Sequence, residues 1–209
     1  WLVWPSRMGS VARYYRRLSW VSATFAILAD IAMGTLGGSL KFKEKITGRF
    51  ADILSWMYIG TSILRRFEAE GSRKEDLPFV HFTMNHALCE IQRAFDGIFA
   101  NLPVPGLSWV FSGPIRWWSN LNALAGEPSD QHTHKIASLM MADTEQRARF
   151  TEGIYMPTKD TEQLARLEKT FHLVKQAEGI DQKIRKAVKS GLIPKAKGPA
   201  LLQSALQKG

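Results

Sequence analysis

The feature that most constrains the fold of this chain is an apolar pattern of helical period between Ile46 and Phe67. Apolar side chains recur there every three or four residues and so share one face of a helix. The members of this face are Ile46, Phe50, Ile53, Met57, Leu64 and Phe67. A second apolar stripe runs beside it and consists of Trp56, Ile59 and Ile63. A helix that is apolar on two faces lies between neighbouring elements, so the segment predicts a helix inside a bundle.

Two more long helices are predicted around this one. The first covers residues 10–36 and ends at Gly37 and Gly38, because glycine readily adopts the left-handed backbone that closes a helix. The other begins near Asp76 and ends at the two prolines of "NLPVPG", which cannot continue a helix. No run of alternating apolar residues is long enough to indicate a strand. We therefore predict an all-α fold, an antiparallel helical bundle whose central helices occupy residues 10–102.

The remainder of the chain is predicted to surround this bundle within a single domain, residues 1–209. Residues 103–129 are expected to form an irregular aromatic segment that contains a short helix from residue 115 to 124. Residues 130–209 are expected to form peripheral helices. The first of these is predicted from His134 to Arg149. The next is predicted to be capped by Asp160 and to pack through an apolar stripe of Leu164, Leu167, Phe171 and Val174.

The segment Leu18–Leu36 raises the alternative of a membrane span. It has 19 residues with one charge, Asp30, and it follows the aromatic and basic run "RYYRR". This length and this flank fit a spanning helix. However, a carboxylate in the middle of such a helix costs about 2.5–3.5 kcal/mol on insertion scales. A bundle helix with Asp30 paired to an arginine is therefore favoured over a membrane span.

The net charge of +9 is concentrated at the two ends of the chain. Residues 1–50 hold eight Lys or Arg against two Asp or Glu, and residues 159–209 hold eleven against five. Residues 51–158 hold nine against twelve, so the middle is mildly acidic. Basic ends suit an acidic partner such as anionic lipid, nucleic acid or another protein surface. Solvated helix faces explain the same pattern.

No residue-level pattern indicates an active site. His132 and His134 have no third ligand at a suitable spacing, so no metal site is predicted. Cys89 lies beside the apolar stripe of its helix and has no basic neighbour to lower its pKa, so we expect it to be buried and inert. It is the only cysteine, which excludes an internal disulfide and fits a reducing, cytoplasmic environment. We predict no catalytic, cofactor-binding or metal-binding residue in this chain.

The aromatic segment supplies the only candidate site. Trp109, Phe111, Trp117 and Trp118 cluster there with Arg116. Exposed aromatics beside arginine are typical of protein interfaces and of anchors at a membrane surface. A loop that packs on its own bundle explains the same residues equally well. The interface candidates are therefore Trp109, Arg116, Trp117 and Trp118.

Three stretches resemble the C-terminal domain of the large bacterial acyl-CoA dehydrogenases of fatty-acid β-oxidation. They are "ARYYRRLSWVSATFAILADIAMGTLGGSLKFKEKITGRFADILSWMYIG" (residues 12–60), "EDLPFVHF" (75–82) and "GLIPKAKGPALLQSALQKG" (191–209). The resemblance implies a parent enzyme that uses FAD to oxidise fatty acyl-CoA to trans-2-enoyl-CoA. It also implies that the flavin and thioester sites lie in preceding domains. The family's catalytic glutamate lies in a Glu-Gly-Thr-like turn, whereas Glu152-Gly153 here is followed by Ile154, so no catalytic role is carried over.

The same resemblance implies partners and a location. The chain begins with Trp1 rather than Met, and we expect it to be part of a longer polypeptide that includes upstream catalytic domains. The domain would be structural in that enzyme, with a homodimer as the assembly, acyl-CoA as the substrate and peripheral contact with anionic inner membrane as a further expectation. The alternative is a stand-alone basic helical module that binds anionic lipid or nucleic acid. No recognition pattern supports nucleic acid, so none is predicted as a partner.

Overall fold

A computed structural model of the chain describes residues 9–142, 144–159, 161–196 and 198–207. Helices and turns make up these ranges, with no strand among them. The all-α prediction is therefore confirmed. The chain divides into two compact units, residues 1–139 and 140–209.

Three long helices form the centre of the first unit. They are α1 (Ala12–Leu36), α2 (Glu44–Ala69) and α3 (Leu77–Asn101), and their bounds follow the sequence patterns closely. Helix α1 ends at Gly37, whose φ of 49° is the left-handed conformation that glycine adopts without strain. A 3₁₀ turn, Gly37–Phe42, then leads into α2.

Helix α2 runs antiparallel to both of its neighbours. Against α1, the rings of Phe25 and Phe50 meet edge to face with their centroids 5.6 Å apart, while Leu18 approaches Gly60 further along α2. Against α3, the N-terminal part of α2 lies next to the C-terminal part of α3, and Gly60 packs on Met84 near the start of α3. The three helices therefore form the antiparallel bundle that the apolar pattern predicts.

The core lies where the three helices meet, and α3 contributes most to it. Its fully buried side chains include Met84, Leu88, Ile91 and Ile98. Tyr14 and Val21 from α1, and Ile53 and Leu64 from α2, are also fully buried. The second apolar stripe of α2 is covered only in part: Trp56 and Ile63 pack at the edge of the core, whereas Ile59 is 41% exposed. The prediction that α2 is buried on two faces is wrong at Ile59.

Helix α1 buries one side and exposes the other. Tyr14, Leu18, Val21, Leu28 and Ala32 face the core, but Ile27 and Met33 are 61% and 55% exposed. By length and composition alone, the stretch Ala12–Phe42 qualifies as a membrane span, as core helices of soluble proteins also do. Asp30 is exposed, and no ion pair joins it to an arginine in the described ranges, so the predicted buried pair is absent there.

The segment after α3 is more helical than its composition suggests. It contains a single α turn, α4 (Ser108–Val110), a π turn (Phe111–Ile115) and the short helix α5 (Arg116–Leu121). The short helix predicted at residues 115–124 is thus found, but it ends three residues earlier. The wider π turn accommodates Pro114, which has no N–H to donate to a regular helix. Helix α6 (Asp130–Met140) follows.

The second unit contains α7 (Glu145–Thr151), α8 (Gln163–Lys189) and α9 (Pro199–Gln207). The single helix predicted from His134 to Arg149 is wrong, because α6 and α7 are separate. Thr144 causes this division: its backbone is extended, and its side-chain oxygen accepts a hydrogen bond from the Arg147 N–H at 3.3 Å, which begins a new helix.

A charged cluster joins α7 to α8 within this second unit. Arg147 donates hydrogen bonds of 3.0 and 3.1 Å to the two carboxylate oxygens of Glu168, and its guanidinium lies 4.1 Å from the centre of the Phe171 ring. The apolar stripe predicted for packing is not buried: Leu167 and Val174 are 67% and 59% exposed. The predicted cap Asp160 lies outside the described residues.

Candidate interaction surface

The polar side of α3 holds the aromatic segment in place. Arg116, the first residue of α5, donates hydrogen bonds from Nε and Nη2 to the two carboxylate oxygens of Asp96, at 2.8 and 2.9 Å. Asn120, one turn further along α5, donates a 3.2 Å bond to the same carboxylate. The planar guanidinium matches a carboxylate in this two-bond geometry, which fixes orientation as well as distance. Asp96 therefore sets the position of α5.

Gln92, one turn before Asp96 on α3, adds a second attachment. Its side-chain nitrogen donates to the Ser119 hydroxyl at 2.9 Å, and its side-chain oxygen accepts from the Leu124 backbone N–H at 3.2 Å. Phe111 and the fully buried Leu124 supply the apolar contacts of the same segment with the core. The sequence places Gln92 and Asp96 off the apolar stripe, and their four-residue spacing is the signal that could have identified them as a pair of anchors.

The three tryptophans of the segment point away from these attachments. Trp109, Trp117 and Trp118 are 68%, 64% and 65% exposed. We call these three residues the aromatic surface. Arg116, the fourth interface candidate, is engaged by Asp96, so its role in this structure is to position the helix that carries Trp117 and Trp118. Phe111 differs from the other aromatics of the segment because it is buried.

Charge and hydrogen bonding reinforce the Asp96 attachment. The bonds from Arg116 lower the pKa of the Asp96 carboxyl, with a smaller contribution from Asn120, although partial burial acts in the opposite direction. Asp96 in turn raises the pKa of the Arg116 guanidinium. Both groups are therefore charged at neutral pH, and the attachment persists until the carboxylate is protonated in acid.

A small groove beside α3 contains the single cysteine. It has a volume of about 210 Å³, and Phe82, His86, Cys89 and Glu90 line it. Cys89 is buried, as predicted, and its thiol donates a 3.5 Å hydrogen bond to the Ala125 carbonyl. Burial and the nearby carboxylate of Glu127 raise the pKa of this thiol. The thiol is thus the protonated form at neutral pH, which is a poor nucleophile.

The histidines singled out in the sequence serve as packing residues or lie at the surface. The Nε2 atom of His132 lies 3.2 Å from the Pro78 carbonyl oxygen, and its ring meets the edge of Phe82. His134 is exposed on α6. Among the residues that the structure describes, no three His, Cys, Asp or Glu side chains are grouped as metal ligands would be.

A wider groove lies at the start of α2. It has a volume of about 560 Å³ and is open to solvent. We call it the basic groove, because three of its four charged residues are cationic; it is lined by Phe42, Lys43, Glu44, Lys45, Ile46, Arg49, Asn101 and Pro103. Most of its lining comes from the basic run "KFKEK" and the start of α2, and the rest comes from the end of α3, a connection that no pattern in the sequence reveals.

Neither groove fits the flavin that the sequence resemblance implies. The small groove is lined in part by Arg93, which pairs with Glu90 at 2.6 Å and also with Glu127, so charged side chains form part of its wall. The basic groove is open and has Phe42 as its only aromatic residue. An isoalloxazine ring requires an enclosed, largely apolar slot. Neither groove is such a slot, and no oxidation step is assigned to the residues that line them.

Comparisons with known proteins agree with the helical architecture. No solved structure matches the chain significantly. A family model described as "Acyl-CoA dehydrogenase, C-terminal, bacterial type" matches residues 3–209, which is nearly the entire chain. The resemblance noted from three sequence stretches is therefore confirmed over the whole fold. The chain belongs to the family of C-terminal domains of bacterial-type acyl-CoA dehydrogenases.

Proposed function

We propose that this chain is the non-catalytic C-terminal domain of an FAD-dependent acyl-CoA dehydrogenase of fatty-acid β-oxidation. The parent enzyme would oxidise fatty acyl-CoA to trans-2-enoyl-CoA in its upstream domains, which hold the FAD and the thioester. The family match supports the parentage. The small groove and the basic groove, neither of which is shaped for a flavin, support a structural role for this part.

The single observation that carries the structural role is the exposure of two large apolar side chains on α1. Ile27 and Met33 lie on a long, ordered helix and are more than half exposed. Ile27 and Met33 lie about 120° apart around the helix, at the two borders of its exposed side, and exposed apolar side chains of this size fit a surface that another protein covers. We propose that the upstream catalytic domains cover this side of α1. We assign the aromatic surface, Trp109, Trp117 and Trp118, to contacts within the same enzyme.

This role has consequences for assembly and location. Domains that cover apolar surface of a catalytic bundle also determine which further copies can associate, and we propose a homodimer as the assembly. The single, buried cysteine is compatible with the reducing cytoplasm, where we propose that the enzyme acts.

The proposal is tested by separating the chain from its upstream domains. We expect the 209-residue chain alone to show neither flavin absorbance nor palmitoyl-CoA oxidation when FAD is added, and to bind its separately expressed upstream domains. Ile27→Glu should weaken that binding, because it places a charge in an apolar contact. Val174→Glu is the matched control, since Val174 is 59% exposed and lies on α8 rather than α1. Equal binding by wild type and Ile27→Glu would show that α1 is not the contact.

A further inference from the structure

A glycine in the interior of α3 makes room for an arginine of α2. A Cβ atom at Gly97 would lie 2.9 Å from the Cδ and 3.1 Å from the Cζ of Arg49, and closer still to its Nε. Any other residue at position 97 would therefore displace the guanidinium. Glycine inside a helix is less favourable than alanine, so the helix loses stability at this position. The place of the Arg49 side chain against the α3 backbone accounts for that glycine.

The Arg49 guanidinium has no acidic partner in the described ranges. No carboxylate there forms an ion pair with it, and no oxygen there accepts a hydrogen bond from its N–H groups. A guanidinium has five N–H donors in one plane, and their geometry matches the oxygens of a phosphate or a carboxylate. Because Arg49 is half-buried against α3, these donors are held at a defined place for an external anion.

Two lysines bring further positive charge to the same place. Lys43 and Lys45 line the basic groove with Arg49, and neither forms an ion pair with a carboxylate in the part of the chain that the structure describes. Glu44 is the only carboxylate among the lining residues, so the groove has three cations and one anion. A groove of this charge attracts a ligand with several negative charges. A single carboxylate of another protein would leave most of the positive charge unbalanced.

An exposed aromatic ring borders the cations. Phe42 lines the basic groove, and its ring is 76% exposed, with the Lys41 Nζ 4.9 Å from the ring centre. A nucleobase can stack on an exposed aromatic ring whatever its identity, because every base has a π-face. The groove volume of about 560 Å³ lies within the range of about 300–1,000 Å³ that is typical of small-molecule sites. The groove therefore has room for a base together with its phosphates.

We propose that the basic groove binds a nucleotide with at least two phosphate groups. Arg49, Lys43 and Lys45 would contact the phosphates, and the base would stack on Phe42. A nucleic-acid strand is the less favoured ligand, because proteins that bind single strands arrange several stacking rings along a groove, and this groove has one. Two sources supply the proposed chemistry, namely a free adenine nucleotide and the 3′-phosphorylated ADP part of CoA. The second source rests on the proposed function, whereas the site itself does not.

Isothermal titration of the 209-residue chain with ADP tests the role of Arg49. Arg49→Gln should weaken ADP binding at least about tenfold, because charged hydrogen bonds to phosphate are lost. Gly97→Ala should cause a similar loss without removing any charge, since the added carbon occupies the place of the Arg49 side chain. Gly34→Ala on α1, where nothing lies within 4 Å, and Arg166→Gln at an exposed position on α8 are the matched controls. Absence of ADP binding at millimolar concentration, or unchanged binding by Arg49→Gln, would overturn the proposal.

Substitution of the ring distinguishes a nucleotide from a simple anion. Phe42→Ala should weaken ADP binding about tenfold and leave the binding of inorganic pyrophosphate unchanged, whereas Phe42→Trp should retain the binding of both. Tyr58→Ala is the control, since Tyr58 on α2 is 75% exposed and is not among the residues that line the groove. Helix content by circular dichroism shows that the variants fold. Equal affinity of the wild type for pyrophosphate and ADP would assign the groove to a simple anion and overturn the proposal.

Titration with CoA distinguishes the two sources of the nucleotide. Binding of CoA at least about tenfold tighter than that of ADP would identify CoA, because its additional 3′-phosphate offers a further contact to the cations. Equal binding of the two would identify a free nucleotide. Tighter binding of a single-stranded RNA oligonucleotide than of either would overturn the proposal. If the chain binds ADP but not its upstream domains, the packing role is contradicted and the nucleotide site is retained.

Discussion

The guanidinium of Arg116 and the carboxylate of Asp96, twenty positions apart in the chain, form two hydrogen bonds of 2.8 and 2.9 Å. Asp96 lies on the polar side of α3, the most buried helix of the first unit, and Arg116 is the first residue of α5. The helix that carries the exposed Trp117 and Trp118 is therefore fixed to the rigid part of the bundle by this carboxylate, in addition to the attachment through Gln92. A surface held in this way is preorganised for a partner.

Loss of that carboxylate should release α5 without unfolding the bundle. We expect Asp96→Ala to make the backbone amides of α5 exchange hydrogen several-fold faster, because Arg116 and Asn120 both lose their acceptor. Hydrogen exchange followed by mass spectrometry of peptides covering residues 108–121 measures this effect. Asp52→Ala, at an exposed position on α2, is the control. Unchanged exchange in Asp96→Ala would show that the Gln92 attachment and the apolar contacts suffice to hold α5.

The first unit should lose stability as the pH falls below about 6.5. The Nδ1 atom of His81 lies 2.9 Å from the Tyr14 hydroxyl, and burial, together with the positive charge of Arg13 and a smaller contribution from His132, lowers the pKa of His81. The unfolded chain then binds a proton more readily than the folded one. The free energy of unfolding is therefore highest above pH 6.5, falls as the pH drops below it, and levels off below the folded-state pKa.

Urea denaturation at pH 8.0 and pH 5.0 checks this prediction. His81→Gln should reduce the fall in unfolding free energy between the two pH values, because glutamine cannot be protonated but can still accept the Tyr14 hydroxyl hydrogen. His134→Gln, at an exposed position on α6, should leave the fall unchanged. An identical pH dependence in wild type and His81→Gln would assign the effect to other groups.

We expect position 60 to tolerate alanine but not leucine, whose side chain adds four carbons. It is buried in α2, and a Cβ there would lie 3.3 Å from the Met84 Cε, which is the flexible end of its side chain. Gly60→Ala should be close to neutral, since the helix gains about 1 kcal/mol from alanine while Met84 shifts slightly. Gly60→Leu should destabilise the chain by about 1–3 kcal/mol through overpacking. Gly48→Leu is the control in denaturant titrations, because nothing lies within 4 Å of that position.

Cys89 should react slowly with thiol reagents. Its thiol is buried on α3, bonds to the Ala125 carbonyl and has a raised pKa. We expect labelling by Ellman's reagent at pH 8 to be at least about tenfold slower in the folded chain than in 6 M urea, because both the thiolate fraction and access increase on unfolding. Equal rates in the two conditions would place the thiol at the surface.

The central helices could be predicted because the sequence signals that define them are local. Apolar residues at helical spacing define α2 and α3, Gly37 ends α1, and prolines follow α3. Each of these signals lies within a few residues of the structure that it specifies. The all-α class and the antiparallel order of the three helices follow from the same local patterns.

The remaining features depend on contacts between distant residues. The ion pair of Asp96 with Arg116 joins α3 to α5, and the periodic pattern of one helix gives no information about another. The sequence therefore predicted the tryptophans as interface residues, but it did not predict which contacts hold them in place. In α8, by contrast, the sequence predicted the helix but not the packing of its apolar stripe. Its spacing correctly predicted a helix, but spacing does not say what covers a stripe, and Leu167 and Val174 are exposed.

The π turn before α5 determines which way the tryptophans face. The Arg116 N–H donates to the Phe111 carbonyl, five residues earlier, so this turn holds one residue more than an α turn. Because each residue of an α-helix adds about 100° of rotation, deletion of that extra residue would swing Trp117 and Trp118 by more than a quarter of a circle. A single-residue deletion at this point would therefore redirect the rings toward a different partner, and it would turn Arg116 away from Asp96 by the same angle.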